Sequence, residues 1–305
     1  MAAQRLNAWT VTDVDSGQRV QRFLVDQLDG RYSGKEIKKA IERNALAING
    51  VQERHASRRL VINDHVVFDL SILSLEKPEK TISYDTNRIL YEDTSLLIYN
   101  KPPGITSVTG GLLSVLQNYD PSLKNVHRLD KDTTGAIIFP KTEDAKRLLV
   151  EHFRDKSLQK NYLTIVDGVI TEDEGTIDRP IGKLFEKDGH TLWGIKPFKK
   201  GGLDAITEWK VLGRGESATL VECSLITGRT HQIRIHLSDM GFPIIGDIRY
   251  GTSFKGGFQP THQLLHAWKL SFIHPISGKS IQVEASLPKE FRKAIDELIQ
   301  KGGVS

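Results

Sequence analysis

Val126-His127-Arg128-Leu129-Asp130-Lys131-Asp132-Thr133-Thr134-Gly135 runs directly into Ala136-Ile137-Ile138-Phe139. A polar stretch ending in glycine and followed by four apolar residues reads as a loop feeding a buried strand. Upstream, Leu96-Leu97-Ile98-Tyr99 has the same character. Downstream, Thr142 with Glu143 and Asp144 predicts a capped helix whose first turn carries acids that complement its dipole. Ala145, Leu148, Leu149 and Phe153 make its apolar face. Further strands are predicted over 162–166 and 219–226. A last helix opens at Pro288, with Phe291, Ala294, Ile295, Leu298 and Ile299 on one face. Strands and helices do not alternate in a strict βαβ rhythm, so the fold class is α+β with a mixed sheet.

Ahead of this region lies a smaller unit of different composition. Residues 1–15 read as a polar leader, 16–75 as a compact basic unit, 76–89 as a polar linker containing Pro78, and 90–305 as the larger domain. In the basic unit Val20, Phe23, Leu24 and Leu28 fall at helical spacing, and Ile37, Ala40 and Ile41 start a second helix. Ser33 with Glu36 forms a capping box before that helix, and Asn44 is placed to end it in the left-handed region. Leu46, Ile48 and Val51 surround an Asn49-Gly50 hairpin turn, and Val66-Val67-Phe68 predicts a closing strand. Between residues 35 and 59 stand Lys35, Lys38, Lys39, Arg43, Arg54, Arg58 and Arg59, opposed only by Glu36, Glu42 and Glu53. Such a face is either a solvated helix surface or a phosphate-contacting one.

The 305 residues carry a net charge of +4, which is compatible with a nucleic-acid partner without requiring one. A single cysteine, Cys223, excludes an internal disulfide and fits a reducing, cytoplasmic setting. No run approaches the ~20 apolar residues of a membrane helix, and the N-terminus lacks an apolar export signal. Nucleotide-binding glycine motifs and zinc-type His or Cys pairs are missing, so no cofactor and no metal are expected. Three polar clusters set in apolar surroundings remain: 126–135, Lys160-Asn161-Tyr162, and Thr227-Gly228-Arg229-Thr230-His231-Gln232-Ile233-Arg234-Ile235-His236-Leu237. Each alone reads as a turn, a core residue or a surface ion pair.

Together the clusters resemble the RluA-type pseudouridine synthases. His127-Arg128-Leu129-Asp130 with Thr133-Thr134-Gly135 is similar to that family's signature loop, and 227–237 to its later hallmark. Asn100-Lys101-Pro102-Pro103-Gly104, Gly246-Asp247 with Tyr250-Gly251, and Leu265-His266-Ala267 match in family order. The segment 16–70 resembles the S4 RNA-binding module. The resemblance implies a pseudouridine synthase fold with a mixed, largely antiparallel central sheet beside a small α/β S4-like domain.

It also implies a cofactor-free isomerisation that exchanges an N–C glycosidic bond for a C–C one. The family assigns the essential carboxylate to the aspartate matching Asp130, which either attacks the sugar or takes a sugar proton. Arg234 matches the arginine that pairs with it. Tyr162 matches the tyrosine that stacks on the target base, a contact worth ~1–3 kcal/mol, comparable with the few kcal/mol needed to flip a base. Arg128 matches the residue that fills the gap left by the flipped base, while His127, Arg229 and His231 organise the loops or contact RNA. Asp132 is expected to cap its loop. Lys35, Lys38, Lys39 and Arg43 are the expected RNA contacts of the basic unit. The expected partner is RNA, with large-subunit ribosomal RNA first and transfer RNA second, acted on by a monomer without membrane or metal. Two other classes compete: a glycosidase using Asp130 and Asp132 as paired acids, and a non-catalytic RNA-binding protein.

Overall fold

A computed structural model describes residues 6–74, 83–187, 190–251, 254 and 256–299. The chain separates into two compact units, residues 1–81 and 82–305.

In the first unit the order is β1 (Leu6–Thr10), α1 (Val20–Gln27), α2 (Gly34–Glu42), β2 (Leu46–Ile48), β3 (Val51–Glu53), β4 (His65–Asp69) and α3 (Leu70–Ser74). The strands form an antiparallel sheet in the order β1-β4-β2-β3. Phe23, Leu24, Ile37, Ile41, Leu46 and Phe68 from the helices and sheet share one core. Ser33 caps α2 with the reciprocal Glu36 bonds of a capping box. Asn44, Asn49 and Asn63 all take positive φ, near +67°, +54° and +69°, a conformation asparagine tolerates better than other residues with a Cβ.

Part of the stretch expected as a leader is a strand of this unit. Leu6–Thr10 pairs along its length with β4, and Trp9 packs edge-on against Phe23. Its partner lies some sixty positions away, so no local pattern announces it. The first part of the linker expected over 76–89 lies outside the described residues. In the rest, a 3-10 turn (Thr86–Arg88) leads into a strand at Ile89.

The second unit runs β5 (Ile89–Glu92), β6 (Leu96–Lys101), α4 (Leu112–Gln117), β7 (Thr134–Pro140), α5 (Glu143–Arg154), β8 (Gln159–Asp167), β9 (Glu174–Asp178), β10 (Ile181–Lys187), β11 (His190–Ile195), β12 (Ile206–Arg214), β13 (Ala218–Leu225), α6 (Gln232–Asp239), β14 (Leu265–Ile273), β15 (Ser280–Glu284) and α7 (Lys289–Leu298). One large sheet has the order β5-β6-β7-β14-β8-β13-β12-β9, with β15 also on β14, and β10 with β11 forms a separate hairpin. Every pairing in the large sheet is antiparallel except β7 with β14. The sheet is therefore mixed and largely antiparallel. Apolar clusters cover both of its faces: Leu97, Tyr99, Ile137 and Phe139 share one, Leu96, Ile98 and Ile138 the other. This explains why β6 and β7 are buried at every position and read as continuous apolar runs.

The parallel seam depends on one glycine. Gly135 has φ of +109°, and a Cβ there would lie 2.2 Å from the Ala267 carbonyl oxygen. Gly135→Ala is expected to force β7 and β14 apart and destabilise this unit by ~3 kcal/mol or more. A urea midpoint equal to that of the unsubstituted protein would overturn this. Among the described residues no helix is long and apolar enough to cross a membrane.

Candidate active site

The loop ahead of β7 is pinned from below by two polar side chains. Lys101, at the end of β6 and fully buried, donates to the carbonyls of Pro102, Ile105 and Lys131 at 3.0, 2.9 and 2.8 Å. Three acceptors match the three N–H groups of an ammonium. Burial nevertheless pulls its pKa down to about 7, against support from Asp132 and Asp130. Ser107 clamps the residue before Asp130: its Oγ donates to the Leu129 carbonyl at 2.8 Å and accepts the Leu129 N–H at 3.0 Å. Asp130 is thus fixed through its neighbours on both sides. Asp132 makes no capping hydrogen bond among the described residues, contrary to expectation; the Thr133 N–H closes the turn on the Asp130 carbonyl.

Arg234 arrives from α6, the segment after the 227–230 turn. Gln232 builds that turn by accepting from Thr227 Oγ1 and the Arg229 N–H through one oxygen, while its amide donates to Ile206 O and Thr207 Oγ1. Arg234 then forks between two carboxylates. Its Nη1 donates to Asp130 Oδ2 at 2.8 Å, and Nε and Nη2 grip Asp247 at 2.7 and 2.9 Å. Asp247 is 1% exposed and accepts two more bonds from the Arg249 and Tyr250 N–H groups. Burial opposes both charges. The pairing outweighs it, holding Asp247 below the usual carboxylate range and Arg234 above its ordinary value. Tyr250 lies with its ring 5.0 Å from the Arg234 guanidinium carbon, and its hydroxyl meets His231 Nδ1 at 2.8 Å. His231 Nε2 stands 3.8 Å from Asp130 Oδ1.

A cavity of about 510 Å³ opens over this arrangement, lined among others by Arg128, Asp130, Lys160, Tyr162, Arg229 and His231. The three polar clusters of the sequence therefore meet in one place. Tyr162 enters from β8, and burial together with the Asp130 charge keeps its phenol neutral by raising its pKa. Arg128 is exposed at the cavity. Arg229, also exposed, donates from Nε to the Asp204 carbonyl at 2.7 Å. His127 is turned inward, where Nε2 accepts the Ile138 N–H at 2.9 Å and the ring lies 4.8 Å from Phe153. In the other unit Lys35 and Arg43 are exposed on α2 and at its end, with Lys38 and Lys39 half-buried.

The sequence motifs contained further site residues whose roles they did not disclose. Lys101, Asp247, Tyr250 and His266 all sit inside quoted motifs, and only contact shows what they hold. His266 Nδ1 is 2.7 Å from Thr134 Oγ1 and Nε2 is 3.0 Å from the Ala285 carbonyl. With Nε2–H donating to that carbonyl, the ring is neutral and the threonine hydroxyl donates to Nδ1.

Three histidines around the loop thus sit far below their ordinary pKa of about 6.5. Burial pulls His127 down to about 3 and His231 and His266 down to about 4. Because their folded pKa values are depressed, the unfolded chain binds more protons below pH ~6.5, and stability falls as pH drops from there towards ~4. The expected slope is up to ~1.4 kcal/mol per pH unit for each histidine. Urea midpoints at pH 7, 6 and 5 measure it, and a flat series would refute it.

Residues 95–239 match the family model described as RNA pseudouridylate synthase. The chain is 35% identical over 301 residues to an RNA pseudouridine synthase of Synechocystis sp., covering 93% of this chain and 90% of the relative. It is 32% identical over 309 residues to the ribosomal large subunit pseudouridine synthase C of Salmonella typhi, covering 94% and 95%. Among solved structures, human RNA pseudouridylate synthase domain containing 4 superposes with a TM-score of 0.59 at 26% identity, over 72% of this chain and 95% of that one. The likeness spans both the sheet and the cavity-lining loops, and this chain belongs to the RNA pseudouridylate synthase family as an RluA-type RNA pseudouridine synthase.

Proposed function

We propose that the enzyme isomerises specific uridines of large-subunit ribosomal RNA, with Asp130 as the catalytic carboxylate. The observation that carries this reading is the Asp130 carboxylate, held by Arg234 in a cavity that Tyr162 also lines. In the reaction the N1–C1′ bond breaks, the uracil turns, and a C5–C1′ bond forms. The C5 proton is released and N1 gains one, so atoms and electrons balance without an external reagent. Asp130 acts at the sugar of the flipped nucleotide, with Arg234 compensating its charge. Tyr162 stacks on the uracil, and Arg128 occupies the gap left in the RNA. Arg229, His127 and His231 hold the surrounding turns. The first unit, with Lys35, Lys38, Lys39 and Arg43 on and beside α2, acts as an S4-like RNA-binding module.

The choice of ribosomal RNA is supported by relatives named as ribosomal large subunit pseudouridine synthases C and D, at 32–36% identity. The test is a carbodiimide primer-extension map of ribosomal and transfer RNA from cells lacking the gene, complemented with wild type or Asp130→Asn. A large-subunit stop restored only by wild type is the expected result. A stop restored only in transfer RNA would move the substrate there, and restoration by Asp130→Asn would remove the catalytic assignment.

A further inference from the structure

Three cations that line the cavity, Lys160, Arg154 and Lys156, have no role in the scheme above. Lys160 is the second residue of β8, two positions before Tyr162, and alternate residues of a strand point to the same face. Both line the same cavity as Asp130. The Lys160 ammonium is half-buried, and among the described residues it has neither an ion-pair partner nor a hydrogen-bond acceptor. It stands over the Phe153 ring, 5.5 Å from Nζ to the centroid. Gly228, which lines the same cavity, lies beside Lys160: a Cβ there would stand 3.7 Å from Nζ, in ordinary contact. Burial lowers the Lys160 pKa, and no carboxylate among the described residues pairs with the charge.

Other charges on this wall are placed differently. Arg154 and Lys156 also line the cavity, but both are exposed at the end of α5, where cations complement the helix dipole in any case. Lys160 sits on a strand and has no such explanation. A partly desolvated ammonium beside a base-stacking residue suits a backbone phosphate, which supplies the missing anion and acceptor oxygens.

The geometry points to Lys160 as a residue that binds the phosphodiester next to the flipped uridine and so holds the substrate RNA at the cavity. This rests on the uridine-isomerising function proposed above. Arg154 and Lys156 extend the same phosphate track outwards.

The experiment uses the full-length enzyme and total RNA from cells lacking the gene, labelled with tritium at uracil C5, so that each turnover releases one tritium. Lys160→Met and Lys160→Arg are compared with wild type at several salt concentrations. Lys160→Met is expected to raise KM about tenfold or more with kcat changed less than about threefold. Loss of one phosphate contact should also make log(kcat/KM) less steep against log[salt] by ~0.7. Lys160→Arg, which keeps the charge, should recover most of the KM. An unchanged KM and salt slope in Lys160→Met would overturn the proposal. So would a loss confined to kcat, or a KM defect that Lys160→Arg fails to improve. Absence of tritium release by wild type would instead refute the uridine-isomerising function itself, and the Lys160 role with it.

Discussion

Purified Asp130→Asn enzyme is expected to lose at least about three orders of magnitude in pseudouridine formation while keeping its fold and RNA affinity. The substitution is nearly isosteric. An asparagine oxygen can still accept from Arg234 Nη1, while Nε and Nη2 keep the guanidinium tied to Asp247. Ser107 and Lys101 hold the loop through backbone atoms on either side, so the turn does not depend on the carboxylate. On the proposed mechanism what disappears is the negative charge at the sugar, and loss of a group acting at the reacting carbon falls on kcat. Asp132 does not replace it, because removing that acid should leave kcat within about tenfold. Product formation by Asp130→Asn within tenfold of wild type would exclude the carboxylate from the chemistry.

Arg234→Met carries the second large effect, and it falls on stability as well as on activity. Asp247 would be left with two backbone N–H donors and no cation in a site that is 1% exposed. Breaking a buried pair on one side costs about 3–5 kcal/mol, which lowers the thermal midpoint of a unit of this size by about 10 °C. Removing both partners has a different consequence. In Arg234→Met with Asp247→Leu the orphaned charge is gone, so at least half of the lost stability should return. Activity should not return, because Asp130 still lacks its counter-ion. A single variant whose midpoint moves less than about 2 °C would show that the pair is not held in a dry site.

Both predictions turn on residues that were legible in the sequence to different degrees. Asp130, Tyr162 and Arg234 stood inside recognisable motifs, and the structure brings them to one cavity. Asp247 and Lys101 stood in motifs too, but a motif does not say what a side chain touches. The capping box at Ser33 and Glu36 and the asparagines at 44, 49 and 63 were readable because caps and left-handed turns are local. The strand at Leu6–Thr10 was not, since its register is set by β4.

The helix α6 shows the limit most clearly. Gln232–Leu237 is buried throughout, so it has no polar face and no 3.6-residue alternation to betray it. Its apolar residues at 233, 235 and 237 even repeat with the period of a strand. What the sequence by itself determined was the class of fold, the buried strands β6, β7, β8 and β13, the capped helices, and the motifs that carry the chemistry. Tertiary structure alone decided that β7 and β14 run parallel across Gly135, that α6 is a helix, and that Arg234 divides its donors between Asp130 and Asp247. The reason is physical: caps, turns and buried runs are fixed by neighbours in the chain. Strand partners and buried ion pairs are fixed by residues up to about a hundred positions away or more, which leave no period in the sequence.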